Sequence, residues 1–238
     1  MLNPDHRIRS LLLAFGWVFL PLHHSLAATL ADAALPVIDG ARVSEAIGEL
    51  RIHGIPTRIR HIEVDSPLAQ VSTHYRSVLG RQHVETHIDG WHVLSRRAGQ
   101  VLQTVRLRPL SPDVTEGTLS ESDLAAASNV ADRPLGIRLP AGSHLTSDVE
   151  AITQGRHSRL LTWHGSMSLA QAVQHLRKEL DERGYRFERE LPVDDQGLRG
   201  SSLWFAAERR EALATITEHA ARVTVTLSLI GTLAQEGE

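Results

Sequence analysis

The chain reads as an α+β protein made of two tandem copies of a strand–strand–helix–antiparallel meander module, with one helix packed on each sheet. Three observations predict this. The frame Leu68-Ala69-Gln70, His74, Arg76, Leu79 returns as Leu169-Ala170-Gln171, His175, Arg177, Leu180, always one hundred and one residues later. The same spacing joins Glu49 to Glu150, Gly54 to Gly155 and Arg58 to Arg159, nine identities over the thirty-one positions from 49 to 79. Unrelated segments of ordinary composition would share about two, so the spacing marks an internal repeat. After each helical stretch the sequence alternates apolar and polar residues, broken by turn-forming pairs such as Asp89-Gly90.

The first element is a targeting segment, residues 1–27. Arg7 and Arg9 precede the uncharged run Leu11 to Leu20, and Ser25-Leu26-Ala27 places small residues where a signal peptidase reads. Cleavage is expected after Ala27, with Ala31-Asp32-Ala33 as a second site. The apolar run is short of the ~20 residues that a spanning helix needs. Residues 28–45, rich in alanine and carrying Pro36 and Gly40, read as a flexible lead-in.

The first module is expected over 46–122. Glu49 to His53 and Thr57 to Val64 read as a strand pair turning at Gly54. Asp65 or Ser66 is expected to cap a helix with Pro67 at its first position, and Leu68, Val71, Tyr75, Val78 and Leu79 share one face. Gly80 ends the helix. The meander follows as His83 to Ile88, Trp91 to Arg96, Gln100 to Arg108 and Thr115 to Ser120.

A linker is expected over 123–145, the second module over 146–233 and a tail over 234–238. In the second module Glu150 to Thr153 and Ser158 to His164 repeat the strand pair, and Ser168 to Arg183 repeats the helix, with Gly184 closing it. Aligning Trp91 with Trp204, and Arg96-Arg97 with Arg209-Arg210, lengthens the spacing to one hundred and thirteen. The added residues are then assigned to a loop near Val193 to Gly200.

Composition bounds the chemistry. The 238 residues carry a formal net charge of −3 and no cysteine. Disulfides, thiolate metal sites and cysteine nucleophiles are thereby excluded, and the charge offers no case for nucleic acid. No Gly-x-Ser-x-Gly, Ser-x-x-Lys or phosphate-cradling glycine loop is present, so no enzyme activity is expected. The four residues His83, Glu85, His87 and Asp89 alternate along one expected strand, with His92 on the next. His83, Glu85, His87 and His92 form a weak metal candidate, because histidines four apart on a strand are roughly 13 Å apart, too far to share one ion. No cofactor is expected. Trp91 and Trp204 are candidate interface anchors, with Arg96, Arg97, Arg209 and Arg210 beside them as charges for an acidic partner.

In outline the module resembles small adaptor domains of exported bacterial proteins, including those that build secretion or pilus machinery. The likeness is one of fold and transfers no site. The expected function is that of an exported, non-catalytic envelope protein, periplasmic or secreted, acting through protein–protein contacts. An accessory role in a secretion or pilus assembly is the specific expectation. It would have no membrane span after signal cleavage. The alternative is a periplasmic small-molecule or metal-binding protein using the cleft between the modules.

Overall fold

The computed structural model describes residue 30 and residues 33–45, 49–129, 133–153, 155–195, 198–220 and 222–232. The expected signal segment and tail lie outside the described residues. The strands are β1 (Arg42–Glu45), β2 (Glu49–Ile52), β3 (Ile55–Val64), β4 (Val84–Ile88), β5 (Trp91–Ala98), β6 (Val101–Ser111), β7 (Val114–Asp123), β8 (His144–Thr153), β9 (Arg156–Gly165), β10 (Arg186–Asp195), β11 (Leu198–Ala207), β12 (Arg210–His219) and β13 (Arg222–Thr232). Helix α1 spans Leu68–Leu79 and α2 spans Leu169–Asp181.

These elements overturn the expected fold class. The chain forms one antiparallel sheet of 13 strands, in the order β10-β11-β12-β13-β9-β8-β2-β3-β7-β6-β5-β4, with β1 beside β3. The described residues hold two short α-helices, of 12 and 13 residues, against thirteen strands, so the fold is mainly β and not a pair of α+β modules on separate sheets. The physical reason lies in β2. One edge of this strand pairs with β3, and its other edge pairs with β8 from Glu49↔Ile152 to Ile52↔Val149. Backbone donors that would stand open at an edge are satisfied across the seam instead, and the two sheets become one. Inside this sheet the strand order of the second half mirrors that of the first about the β8–β2 seam.

Register also corrects the tryptophan alignment. Ile62 lies opposite Gly117, Gly117 opposite Leu107, and Leu107 opposite His92. The corresponding path from Trp163 runs through Val225 and Ile216 to Ser201. His92 is thus the counterpart of Ser201, and Trp91 of Gly200. Trp204 stands where the first half has Ser95, and Arg209 and Arg210 do not match Arg96 and Arg97. The residues assigned to a loop join the ladder as Val193↔Gly200 and Asp194↔Arg199, extending the β10–β11 hairpin. An insertion in a hairpin adds rungs when both arms can keep alternating.

The helices differ at their starts. Asp65 does not cap α1, because Arg42 Nη1 and Nη2 hold its carboxylate, and the N-cap is Pro67 with no side-chain cap. Helix α2 starts in a capping box: Gln171 N donates to Ser168 Oγ, and Ser168 N donates to Gln171 Oε1. Val71, Tyr75 and Leu79 of α1 pack on Ile62, Leu94, Val105, Leu107 and Leu119. Ala172, Leu176 and Leu180 of α2 pack on Leu161, Trp163, Leu203, Ala214, Ile216, Val225 and Leu227. Following cross-strand partners through the seam, Arg51 faces both Pro56 and Glu150, so both helices lie on one face of the sheet.

Leu35, in the expected lead-in, and Ile137, in the expected linker, both enter the core. Leu35 is only 1% exposed and lies in the α1 core. Its N–H donates to Glu121 Oε1 at 2.8 Å and its carbonyl accepts from Arg60 Nη2 at 2.7 Å. Before α2 the chain repeats the device: the Pro134 carbonyl accepts from Arg159 Nη1 at 2.9 Å, and Ile137 enters the second core. A buried arginine needs an acceptor besides its carboxylate, and an extended segment crossing the sheet supplies one.

Candidate functional site: the helix-free face

Both α-helices sit on one side, and the opposite face of the sheet carries neither of them. Strand residues alternate, so its occupants follow from register. Val84 and Ile88 of β4 lie opposite Ser95 and Trp91 on this face. Leu191 and Val193 of β10 lie opposite Ser202 and Gly200, while Trp204 faces Leu213 and Ser228 faces Leu160. Val84, Ile88, Leu160, Leu191, Val193 and Leu213 are all among the exposed large hydrophobics, Val84 at 70% and Leu191 at 58%. Of the other two, Val43 pairs with the core residue Ile62 on the helix side, and Leu110 lies at the β6 bulge. They fall into two groups at the two ends of this face, Val84 and Ile88 on β4 and Leu191, Val193 and Leu213 on β10 and β12, with Leu160 on β9 between them; exposed apolar groups of this kind mark interaction surfaces.

The two tryptophans stand on this face, near its opposite ends. The guanidinium carbons of Arg106 and Arg108 lie 4.7 and 4.4 Å from the Trp91 ring centroid, and that of Arg189 lies 4.2 Å from the Trp204 centroid. Arg108 also pairs with Glu116. Among the described residues Arg106 and Arg189 form no ion pair, so each presents a cation held by an indole and free on its outer side. Beside Trp91, a groove of about 240 Å³ is lined by Arg42, Ser44, His61, Glu63 and Glu116.

The arginines named from sequence are placed elsewhere. Arg96 projects to the helix side, donating to Gln103 Oε1 and, at 2.8 Å, to the carbonyl of Leu79 at the end of α1. Arg210 reaches the carbonyl of Arg183 just after α2 at 3.2 Å and lies over Tyr185. Both place a cation at a helix C-terminus, where the helix dipole favours it. Arg97 bonds the Gly99 carbonyl and Gln100 beside its own turn, and Arg209 occupies the β11–β12 turn with φ 58. Sequence reasoning missed Arg106, Arg108 and Arg189. Their strand positions two apart, or cross-strand, from the tryptophans were the available signal.

The histidine candidates do gather, around Glu85 on the helix side. His92 Nε2 is 2.6 Å from Glu85 Oε1, His83 Nε2 is 3.6 Å from Glu85 Oε2, and His87 stacks on His92 with centroids 4.6 Å apart. Arg76 grips the same carboxylate through Nε and Nη2, and together with His92 it holds the Glu85 carboxyl down to about 2. His83 Nδ1 is already taken by the Gly80 carbonyl. No group of three or more His, Cys, Asp or Glu among the described residues is arranged to hold a metal ion.

Ser72 Oγ lies 2.9 Å from His92 Nδ1, which completes a serine–histidine–glutamate chain with Glu85. The order of residues is that of a hydrolytic triad, but the two ring nitrogens are exchanged, with Nδ1 and not Nε2 toward the serine, and the setting also differs. Ser72 is 2% exposed and sits inside α1, where neighbouring amides are committed to helix bonds and cannot line an oxyanion site. The chain bolts α1 to β4 and β5. The second half uses Arg177, Glu190 and Ser201 in the same places, with Ser201 Oγ donating to Glu190 at 2.6 Å.

Between α2 and β10 a groove of about 430 Å³ is lined by Leu169, Val173, Arg177, Glu190 and Arg199. It lies within one half of the chain. His74 and His175, equivalent in sequence, differ in contacts: His74 meets Tyr75 edge-on, and His175 Nε2 is 2.8 Å from the Arg138 carbonyl.

No helix among the described residues is long and apolar enough to cross a membrane. Comparison of the chain with protein-family models, with curated proteins and with solved structures finds no match.

Proposed function

We propose that this is an exported, non-catalytic protein of the cell envelope that binds a protein partner through the helix-free face of its sheet. The observation that carries the reading is that six exposed large hydrophobics lie on that face, Val84 and Ile88 beside Trp91 at one end and Leu191, Val193 and Leu213 beside Trp204 at the other, with Leu160 between the two groups. Export rests on the basic start, apolar run and small-x-small site of residues 1–27. Aromatic and arginine side chains are the usual energetic centres of protein interfaces. Arg106 and Arg189, which form no ion pair among the described residues, favour a partner whose contact surface is apolar and acidic. A role as accessory to a secretion or pilus assembly fits a surface of this kind.

The test is site-specific photo-crosslinking in the producing cell. A photoreactive residue at Leu191 or Leu213 should capture one discrete partner. The same residue at Lys178, exposed on α2, should capture none. Equal capture from both faces, or none from the helix-free face, would refute the reading.

A further inference from the structure

We infer that edge strand β4 pairs antiparallel, centred on Thr86, with β4 of a second copy of this chain, joining two sheets across a twofold axis. This goes beyond the partner-binding face and does not depend on it.

The two ends of the sheet are unlike. Strand β10 carries a register break between Phe187 and Arg189, and Pro192 stands within it. Both features discourage a further strand from adding. Strand β4 has neither. All five of its residues are exposed, it pairs regularly with β5, and Val84 and Ile88 are 70% and 55% exposed. A regular apolar edge without proline, bulge or lysine is a template for another strand.

The sequence of β4, Val-Glu-Thr-His-Ile, complements itself. Pairing about Thr86 sets each Val84 against Ile88 of the second copy on the helix-free face. On the helix-bearing face it sets each Glu85 against His87 of the second copy. Both polar groups are already positioned, Glu85 by Arg76 and His92, and His87 by its stack on His92. Sliding the register by one step in either direction about the twofold brings Glu85 against Glu85, or Glu85 against Asp89 with His87 against His87. Like charges directly opposite are unfavourable in a sheet, and a one-residue slip would put apolar side chains on the wrong face. One register is therefore preferred. Since Ile88 is the cross-strand neighbour of Trp91, the pairing brings the Trp91 ends of both helix-free faces to the seam. Five residues per chain make a small interface, so the dimer should be weak and concentration-dependent.

The experiment is sedimentation equilibrium of the purified protein from low to high micromolar concentration, with crosslinking alongside. The mass should rise toward twice that of the chain. V84K/I88K and V84E/I88E should each stay monomeric with unchanged circular dichroism, and an equimolar mixture should regain the dimer, because lysine then faces glutamate. L191K, on the other edge, should still dimerise. The chain has no cysteine, so T86C should crosslink to a covalent dimer under mild oxidation while L191C does not. A monomer at every concentration overturns the proposal. So does a dimer that V84K/I88K leaves intact, a dimer that L191K abolishes, or a T86C chain that fails to crosslink.

Discussion

Arg76 on α1 and Glu85 on β4 meet at 2.6 Å, and Arg177 on α2 meets Glu190 on β10 at 2.7 Å in the corresponding place. Each helix is thus pinned to the outermost strand of its half by an ion pair that also engages the next strand, through His92 or Ser201.

The pair has a pH consequence. Bonding to Arg76, then to His92, depresses the Glu85 carboxyl to about 2. A carboxyl whose folded value lies below its unfolded value, about 4.3, stabilises the fold fully above the unfolded value and loses that contribution as pH falls through the folded one. Urea unfolding midpoints should therefore decline between about pH 4.5 and 2, and Glu85→Gln should flatten that decline. An identical slope in the variant would show that the bond contributes nothing.

Leu79 and Leu180 close the last turns of the two helices, at 1% and 0% exposure. Leu79→Ala and Leu180→Ala should each lower stability by about 2–5 kcal/mol in urea denaturation, the usual range for an emptied buried leucine site. A loss within about 0.5 kcal/mol at either position would contradict the packing, since that is the range of surface changes.

Glu121 and Arg60 form a buried pair at 2.6 Å, with side chains 0% and 7% exposed. Glu121→Ala leaves Arg60 buried without its carboxylate and should cost about 3–5 kcal/mol. It also removes the acceptor of the Leu35 amide. Hydrogen exchange at Leu35 should be slow in the wild type, although Leu35 precedes every described strand, and should accelerate in the variant.

Gln70 and Gln171 are the same residue at the same helix position, yet only Gln171 closes a capping box. Gln171→Ala should cost about 0.5–2 kcal/mol, as loss of a cap does, while Gln70→Ala should stay within about 0.5 kcal/mol. Equal effects would mean that the box contributes nothing in solution.

Much of the local structure was legible. The spacing of Leu68, Val71, Tyr75 and Leu79 identified α1, and Asp89-Gly90 identified a hairpin whose turn residues have φ 51 and 79. The candidate site was half legible. Trp91 and Trp204 were found because tryptophan is rare, but the arginines that stack on them were passed over for Arg96, Arg97, Arg209 and Arg210. Adjacency in sequence misleads in a strand, where neighbours point to opposite faces and contacts come from two residues away or from the next strand.

By itself the sequence determined the two helices and the turns at Gly54, Gly90 and Gly99, since these depend on side-chain periodicity and on glycine at positive φ, but not that Arg42–Glu45 and the residues near Val193 join the sheet. It also determined the repeated positions that make Leu79 match Leu180 and Arg76 match Arg177. Only the tertiary structure decided that two sheets merge at β2 and β8, that Trp91 corresponds to Gly200, and that the segment around Leu35 is buried. Those outcomes depend on which backbone edges pair and on which acceptors a buried arginine finds. Both are settled between residues far apart in the chain, where no local pattern records them.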